Sequence, residues 1–313
     1  MHAFVFPGQG SQKVGMGTDL AAASSAARAV FEEVDDALGM KLSAIMADGP
    51  EDQLTLTENA QPAIMANAIA TLRVLESEFG VKLADHASCV AGHSLGEYTA
   101  LCAVGAFDLA TTARLLKLRG SAMQAAVPVG VGAMAALLGA DIEKATALAE
   151  AAADGEVCEV ANDNDPGQVV ISGHKGAIER AASMVKDHGI KRGILLPVSA
   201  PFHCSLMQPA ADRMAEALSE NAPGAMSVPL FANVTAAKVT DPAEEQALLV
   251  QQVTGRVRWR ESVAAMHADG VNSFVELGGK VLSPMIKKIA GEAQTTSLIS
   301  MEDLEGFAKD IGG

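Results

Sequence analysis

A chain of 313 residues, 49% apolar and 19% charged, is long enough for two domains and is not a largely disordered protein. Its formal net charge of −15 excludes a general nucleic-acid binder, because phosphate contacts need clustered Lys and Arg. An acidic partner would therefore have to bind at a local basic patch.

Strands and helices alternate along the first 125 residues. Short apolar runs predict strands, and apolar residues three and four apart predict helices. Pro62 is tolerated in the first turn of a helix, so it marks a predicted helix start. The predicted elements are strands at His2–Phe6 and Ser88–Gly92 and helices at Asp19–Leu38, Pro62–Phe79, Leu95–Val104 and Leu109–Ala125.

After residue 125 the predicted strands and helices alternate over shorter distances. Pro128-Val129-Gly130 is typical of a linker. The elements predicted after it are strands at Val131–Leu138, Val157–Asn162, Gln168–Ser172 and Gly193–Val198 and helices at Ile142–Ala152 and Ala177–His188. Their β-α-β-β-α-β order is that of a ferredoxin-like unit, which predicts a small inserted domain.

From Ser205 the longer alternation resumes. The predicted elements are helices at Leu206–Glu220, Pro242–Gln252, Glu261–His267 and Val281–Ile289 and strands at Pro229–Asn233 and Asn272–Glu276. The sequence therefore predicts an α/β fold, with a large domain of residues 1–127 and 199–313 around a central, mostly parallel sheet. The small domain of residues 128–198 interrupts it.

Cysteines and apolar stretches indicate the cellular setting. Gly120–Ala140 carries no formal charge, but its proline and glycines favour a loop and a buried strand over a membrane span. No signal peptide is visible, so we expect a cytoplasmic protein without membrane contact. The four cysteines form no CxxC pair and predict reduced structural thiols rather than a zinc site or disulfides: Cys89, Cys102, Cys158 and Cys204.

Gly92-His93-Ser94-Leu95-Gly96 is the strongest local motif. It matches G-x-S-x-G between a predicted strand and a predicted helix, where a sharp turn holds a serine ready as a nucleophile. The flanking glycines allow close backbone approach, and the Leu95 amide at the helix start can face a developing oxyanion. An ordinary tight turn is the alternative.

A nucleophilic serine needs a base. Among the seven histidines, His203 lies just after a predicted strand in the apolar loop Ser199–Cys204, which suits a fixed imidazole. His93 adjoins Ser94, so its ring is expected to point away from the serine oxygen. A structural role for His203 stays open, and no acidic residue stands out as the third member of a triad.

Two further segments carry candidate site residues. The Gly-rich loop Pro7–Gln12 follows the first strand, so its amides can bind phosphate or, from Gln9, donate to an oxyanion; a plain turn is the alternative. Arg119 ends an apolar helix face. It either caps the helix at the surface or turns into a pocket to bind a carboxylate.

Together these segments resemble one family. The resemblance covers nearly the whole chain, and the motifs occur in the family's order. They are Pro7-Gly8-Gln9-Gly10-Ser11-Gln12, Gly92-His93-Ser94-Leu95-Gly96-Glu97-Tyr98, Arg119-Gly120-x-x-Met123-Gln124, Asn164-x-Pro166-Gly167-Gln168 and Pro201-Phe202-His203. The family is that of the malonyl-CoA:acyl carrier protein transacylases of bacterial type II fatty acid synthesis. It implies a hydrolase-like core with a ferredoxin-like insertion.

The resemblance implies a catalytic role for five residues. Ser94 matches the nucleophile, His203 the base and Arg119 the residue that pairs with the malonyl carboxylate. Gln9 and Leu95 match the backbone donors of the oxyanion hole.

Four further matches lie around these residues. Asn164 matches an asparagine near the site, and Gln252 matches a glutamine whose backbone carbonyl orients the histidine in place of an acid. The segment Thr254-Gly255-Arg256 after it departs from the commoner pattern. Phe202 resembles malonyl-selective members and, with Met123, is expected to set acyl specificity, although one methyl group is worth only about 1–3 kcal/mol of discrimination.

The implied reaction is ping-pong transfer of a malonyl group from malonyl-CoA to the phosphopantetheine thiol of holo acyl carrier protein, without a metal or redox cofactor. The carrier protein is acidic, so it needs a local basic patch, unless the basic residues are only scattered solvated charges. The candidates are Lys191 with Arg192, Arg256 with Arg258 and Arg260, and Lys287 with Lys288. A serine esterase or thioesterase and a non-catalytic carrier-docking subunit are the alternative functions.

Overall fold

A computed structural model describes residues 1–198 and 200–312, and in it the strands form two separate sheets. In chain order the strands are β1 (His2–Phe6), β2 (Ala87–Gly92), β3 (Gly132–Leu138), β4 (Cys158–Asp165), β5 (Gln168–His174), β6 (Arg192–Leu195), β7 (Leu230–Phe231), β8 (Lys238–Val239), β9 (Ser273–Leu277) and β10 (Gln294–Leu298).

Helices surround both sheets, and a 3-10 turn at Ser205–Met207 leads into one of them. The helices are α1 (Thr18–Ala23), α2 (Ser25–Leu38), α3 (Leu42–Asp48), α4 (Glu51–Thr55), α5 (Thr57–Phe79), α6 (Leu83–His86), α7 (Gly96–Ala103), α8 (Leu109–Ala125), α9 (Ile142–Ala153), α10 (Lys175–Met184), α11 (Gln208–Glu220), α12 (Pro242–Thr254), α13 (Trp259–Ala268), α14 (Ser283–Ile289) and α15 (Met301–Gly312).

The large sheet has the strand order β10-β9-β1-β2-β7-β8. Every pairing in it is parallel except that of the short strand β8 with β7, so the predicted mostly parallel sheet is confirmed. Parallel strands end at one edge, and ligands of open α/β sheets bind outside that edge. The turns after β1, β2 and β7 therefore bring Gln9, Ser94 and Asn233 to the same side of the sheet.

The small sheet is antiparallel, with the order β4-β5-β3-β6. One face packs on α9 and α10, while Met134, Ala136 and Val170 on the other face join the core of the large sheet. The predicted ferredoxin-like fold is confirmed. Its strands lie between Gly132 and Leu195, inside the predicted segment 128–198. Ser199 and Gly313, which bound the second part of the predicted large domain, lie outside the described residues, and the domain limits stay a prediction.

The small sheet is bonded through β4 to the segment between α12 and α13. The Asp163 amide donates to the Val257 carbonyl, and the Val257 amide donates to the Ala161 carbonyl. Arg260 of α13 forms an ion pair with the buried Asp163 at 2.8 Å. These bonds fix the small sheet beside the carboxyl edge of the large one.

Two helices show the largest differences from the prediction. The helix predicted at Asp19–Leu38 is broken at Ser24, whose extended backbone lets its hydroxyl cap α2. The helix α5 begins at Thr57, five residues before Pro62, which therefore lies inside it. Seventeen of the 23 residues of α5 are buried, including Pro62 and its neighbours, so tertiary packing overrides the local effect of the proline.

Six short or polar elements were not predicted: α3, α4, α6, β8, β10 and α15. β10 is a polar edge strand and lacks the apolar run that marks β1. The segment Gly120–Ala140 contains the end of α8 and all of β3, as expected. Within residues 1–198 and 200–312, no helix is both long and apolar enough to cross a membrane. All four cysteines are free and buried.

Candidate active site

Ser94 lies at the tip of the turn between β2 and α7, with a φ of 53°. A positive φ is costly for a non-glycine residue and is seen where the surroundings enforce it. A Cβ on Gly92 would overlap the backbone of Gly96, and one on Gly96 would overlap the Phe6 carbonyl. Both glycines of the motif are therefore needed for a turn this tight.

Asn233 holds this turn from the neighbouring strand. Its Oδ1 accepts from the Ser94 amide at 2.7 Å, and its Nδ2 donates to the Gly92 carbonyl at 2.7 Å. Asn233 is buried just beyond β7, which is the strand beside β2. Sequence reasoning missed this residue. Its position at the end of a predicted parallel strand was the one available signal.

His203 forms a hydrogen bond with the serine. Its Nε2 lies 2.7 Å from Ser94 Oγ, and its Nδ1 lies 2.9 Å from the Gln252 carbonyl oxygen. A carbonyl only accepts, so Nδ1 carries the hydrogen and Nε2 accepts the serine hydroxyl. The Gln252 carbonyl thus fixes the tautomer, which is the function of the aspartate in a Ser-His-Asp triad.

Burial and the nearby Arg119 charge lower the pKa of His203 to about 3. Both effects disfavour the imidazolium, because the ring is 4% exposed and a second cation lies close to it. At neutral pH the ring is therefore neutral and able to accept a proton.

The side chain of Gln252 links the other parts of the site. Its Nε2 donates to the Ser94 carbonyl at 3.0 Å, and its Oε1 accepts from Arg119 Nη2 at 2.8 Å. One buried residue of α12 therefore contacts the nucleophile's backbone, the base and the arginine. The resemblance pointed only to its backbone carbonyl.

Arg119 is 1% exposed and points into the protein, which excludes the alternative of a surface helix cap. Its Nη1 donates to Gln61 Oε1 at 2.8 Å, and its Nη2 lies 3.2 Å from Ser94 Oγ. Among the described residues no carboxylate forms an ion pair with it, and its Nε finds no acceptor. A buried cation held only by neutral groups is suited to bind an anion.

These side chains line a cavity of about 310 Å³. Gln9 and Leu95 lie in its wall beside Ser94, and the largely buried Phe202 and Met123 face it as well. The lining also includes Met134 and Leu196 from the small domain. The cavity is therefore formed between the two sheets, where ligand sites commonly lie.

Asn164 contacts His93 rather than the reacting groups of Ser94 and His203. Its Oδ1 forms a 2.9 Å hydrogen bond with His93 Nε2, and Asn162 is the residue of β4 that lines the cavity. The His93 ring also contacts Trp259 edge-on, with ring centroids 5.7 Å apart. This keeps the ring turned toward β4 rather than the serine oxygen, as expected. In residues 1–198 and 200–312, no cluster of three His, Cys, Asp or Glu residues could hold a metal ion.

The fold and this site define an α/β enzyme of the serine acyl-transfer class. Residues 3–292 match the acyl transferase domain family. The chain is 44% identical over 297 residues to the malonyl CoA-acyl carrier protein transacylase of Escherichia coli strain K12, with 95% of each chain covered. This chain therefore belongs to the family of malonyl CoA-acyl carrier protein transacylases, as the sequence motifs predicted.

Solved structures of the family agree. The acyl-carrier-protein-S-malonyltransferase from Bartonella henselae is 50% identical with a TM-score of 0.97, covering 100% of this chain and 99% of that one. A malonyl-transacylase solved in complex with its type II PKS acyl-carrier protein is 39% identical with a TM-score of 0.95, covering 99% of each chain.

Proposed function

We propose that this enzyme transfers a malonyl group from malonyl-CoA to the phosphopantetheine thiol of an acyl carrier protein through a malonyl-serine. The observation that carries the proposal is that the Ser94–His203 pair and the Arg119 cation line one cavity. The comparisons favour this transferase over the esterase and docking-subunit alternatives, since the relatives are transacylases.

In the first half-reaction His203 Nε2 takes the proton of the Ser94 hydroxyl while the oxygen attacks the thioester carbon. The carbonyl oxygen becomes an oxyanion, for which the Gln9 and Leu95 amides are the proposed donors. The intermediate collapses by breaking the carbon–sulfur bond. The CoA sulfur leaves with the proton from His203, and Ser94 keeps the malonyl ester.

In the second half-reaction the carrier thiol gives its proton to His203 and attacks the ester. Collapse returns that proton to Ser94 Oγ and leaves the malonyl group on the carrier. Arg119 binds the free carboxylate of the acyl group through both steps, with Phe202 and Met123 limiting its size. These steps move only protons and an acyl group, so we propose that no metal or redox cofactor takes part.

The lowered pKa of His203 predicts how the rate of malonyl loading changes as the pH falls. An ordinary histidine with a pKa of 6.5 would be about nine-tenths protonated at pH 5.5, which would slow loading roughly tenfold. Because a base with a lowered pKa stays neutral to a lower pH, we expect less than about a twofold change between pH 5.5 and 7.5. Rapid-quench mass spectrometry of malonyl-enzyme formation measures it.

A fall in the loading rate with an apparent pKa near 6.5 would contradict this expectation. The pH stability of the protein is checked in parallel by its unfolding temperature, so that acid unfolding is not mistaken for titration of the base.

For carrier docking we propose a basic patch at one end of the small sheet, formed by Lys191, Arg192 and Lys287. All three are exposed, and the described part of the chain offers none of them an ion-pair partner. Leu138 of β3 pairs with Arg192 on one side and with Gln168 on the other. The same end reaches Asp165, which binds Lys288 of α14, so both predicted lysine-containing pairs lie along one edge.

The other basic candidates form ion pairs with carboxylates of this chain. Arg256 and Arg258 pair with Glu261, and Arg260 pairs with Asp163. Lys288 binds the buried Asp165 at 2.8 Å, so reversing its charge would disturb the fold as well as any docking.

Reversing Lys191 and Arg192 to glutamate is expected to raise the KM for holo carrier protein by roughly tenfold, because like charges then meet across the contact. Loading from malonyl-CoA should stay within about twofold, since the patch lies outside the cavity. Steady-state transfer at several salt concentrations measures it.

The matched control reverses Lys82 and Lys309, which are exposed and give the same change in charge. An unchanged carrier KM in the Lys191 and Arg192 double variant, or an equal rise in the control, would remove this patch as the docking site. We also propose a cytoplasmic location, which the four free cysteines support.

A further inference from the structure

Two glutamates with no part in the proposed chemistry lie behind the active site. Glu97 of α7 follows Ser94 by three residues, and Glu245 of α12 precedes Gln252 by seven, which is two helical turns. Both side chains are 0% exposed. Each carboxyl thus lies on a helix that also positions a residue of the site.

The two carboxyl groups contact each other. Glu97 Oε2 accepts the Asn233 amide at 2.7 Å, and the Glu97 carboxyl lies beside that of Glu245. Glu97 Oε1 and both oxygens of Glu245 receive no hydrogen from the described part of the chain. Two carboxylates cannot bond to each other, but a carboxylic acid and a carboxylate can.

Burial supports the same conclusion. An unpaired buried charge is costly, and two adjacent carboxylates cannot both be ionised without strong repulsion. Burial raises the pKa of both groups, and the Glu97 charge raises that of Glu245 further. Three other titratable groups lie near the pair. The Arg119 charge on α8 favours ionised Glu97, and the Glu244 charge on α12 disfavours ionised Glu245. Tyr98 of α7 faces both carboxyl groups.

We propose that Glu97 and Glu245 share one proton at neutral pH and act as positioning residues for the nucleophile. The protonated Glu245 donates to Glu97, and the other Glu97 oxygen holds the Asn233 backbone. Asn233 in turn binds the Ser94 amide and the Gly92 carbonyl. The two glutamates therefore hold the strained turn at Ser94 through Asn233. Its kinetic consequences rest on the transfer reaction proposed above.

Loss of the shared proton would place two negative charges side by side. A carboxyl whose pKa is raised by folding favours the folded state below its unfolded pKa, and that contribution is lost as pH rises through the folded pKa. Alkaline pH should therefore weaken the fold around the pair and slow loading through kcat rather than KM.

The test compares Glu245→Gln with Glu245→Leu. Glutamine keeps a donor toward Glu97 but cannot ionise, while leucine leaves Glu97 Oε1 without a donor. In infrared spectra at pH 8, where surface carboxylates are ionised, the wild-type protein should show the carbonyl band of a protonated carboxylic acid, and Glu245→Gln should lack it. From pH 5 to pH 9, the difference in unfolding temperature between Glu245→Gln and wild type should change by roughly 3 °C or more in favour of Glu245→Gln.

Kinetics separate positioning from packing. We expect Glu245→Gln to load malonyl at the wild-type rate at pH 7 and to keep that rate to a higher pH. Glu245→Leu should lose about tenfold in kcat with little change in the KM for malonyl-CoA. Thermal unfolding at pH 5 checks that both variants fold.

Absence of the band, or unfolding profiles of wild type and Glu245→Gln that superimpose at every pH, would overturn the shared proton. A Glu245→Leu variant that is folded and has wild-type kcat would overturn the positioning role. The infrared and unfolding measurements use no substrate, so their result stands apart from that of the transfer reaction.

Discussion

Ser94→Ala is expected to abolish the malonyl-enzyme and to lower malonyl transfer by roughly 10⁴-fold or more. The hydroxyl oxygen is the atom that forms the ester, and 2.7 Å separates it from the His203 nitrogen that takes its proton. Neither Ser94 backbone contact, to Asn233 or to Gln252, uses the side chain, so the turn should survive the change. Intact mass after mixing with malonyl-CoA, then with holo carrier protein, measures both half-reactions.

Ser219→Ala is the matched control, because this exposed hydroxyl of α11 bonds only the preceding helix turn at Glu216. It should load malonyl as the wild type does. A malonyl mass on Ser94→Ala would place the nucleophile elsewhere.

The same experiment separates the alternative functions. A wild-type protein that releases free malonate rapidly without an acceptor thiol would behave as a thioesterase. A wild-type protein with neither adduct nor malonate would be a docking subunit. A stable adduct that passes to the carrier is the result expected of the transacylase.

The core of this site could be predicted because its residues sit in local motifs. Gly92 and Gly96 flank Ser94 at fixed spacing, and the tight turn needs both of them because a Cβ at either position would overlap backbone atoms. The strand β2 before it and the helix after it have clear apolar patterns. The order of elements in the small domain could also be predicted, because β3 and β5 contain apolar runs and each is followed by a helix of ordinary length.

The supporting residues could not be predicted because they come from distant segments. Asn233, Gln61 and Glu245 follow no motif and become neighbours of the site only when β7, α5 and α12 pack around it. The partner of His203 could not be predicted for a related reason. A backbone carbonyl has no side-chain identity, so only the family resemblance pointed to Gln252.

Some predicted roles remain predictions. Gln9 and Leu95 line the cavity, but the oxyanion that their amides are proposed to bind forms only during the reaction. Asn164 reaches the site through His93 rather than by lining the cavity. Such roles depend on the substrate's position, which the amino-acid sequence does not contain.

Arg119→Ala is expected to reverse the enzyme's acyl preference. Within the described part of the chain the guanidinium makes three hydrogen bonds, all to neutral groups, and it lies 5.7 Å from the Tyr98 ring centroid. Burial lowers its pKa, and no carboxylate of the described residues forms an ion pair with it. The malonyl carboxylate supplies that compensation in the loaded enzyme, whereas an acetyl group leaves the cation buried without an anion.

The expected loss of malonyl loading is about 3 kcal/mol, or roughly 10²-fold in kcat/KM, as for a truncated buried charge pair. Acetyl loading should rise, since the variant no longer buries an uncompensated cation. The ratio of malonyl to acetyl loading should therefore fall by more than the malonyl rate alone. Competition between malonyl-CoA and acetyl-CoA, with mass detection of the acyl-serine, measures this ratio.

Arg119→Lys separates charge from geometry. A lysine keeps the cation but loses the planar fork that binds a carboxylate through two N–H groups, so malonyl loading should fall less than in the alanine variant. Removing the cation in Arg119→Ala also removes one cause of the lowered pKa of His203, so the acid limb of acetyl loading should move to higher pH. An alanine variant that is folded and still prefers malonyl by the wild-type ratio would show that the carboxylate is bound by another group.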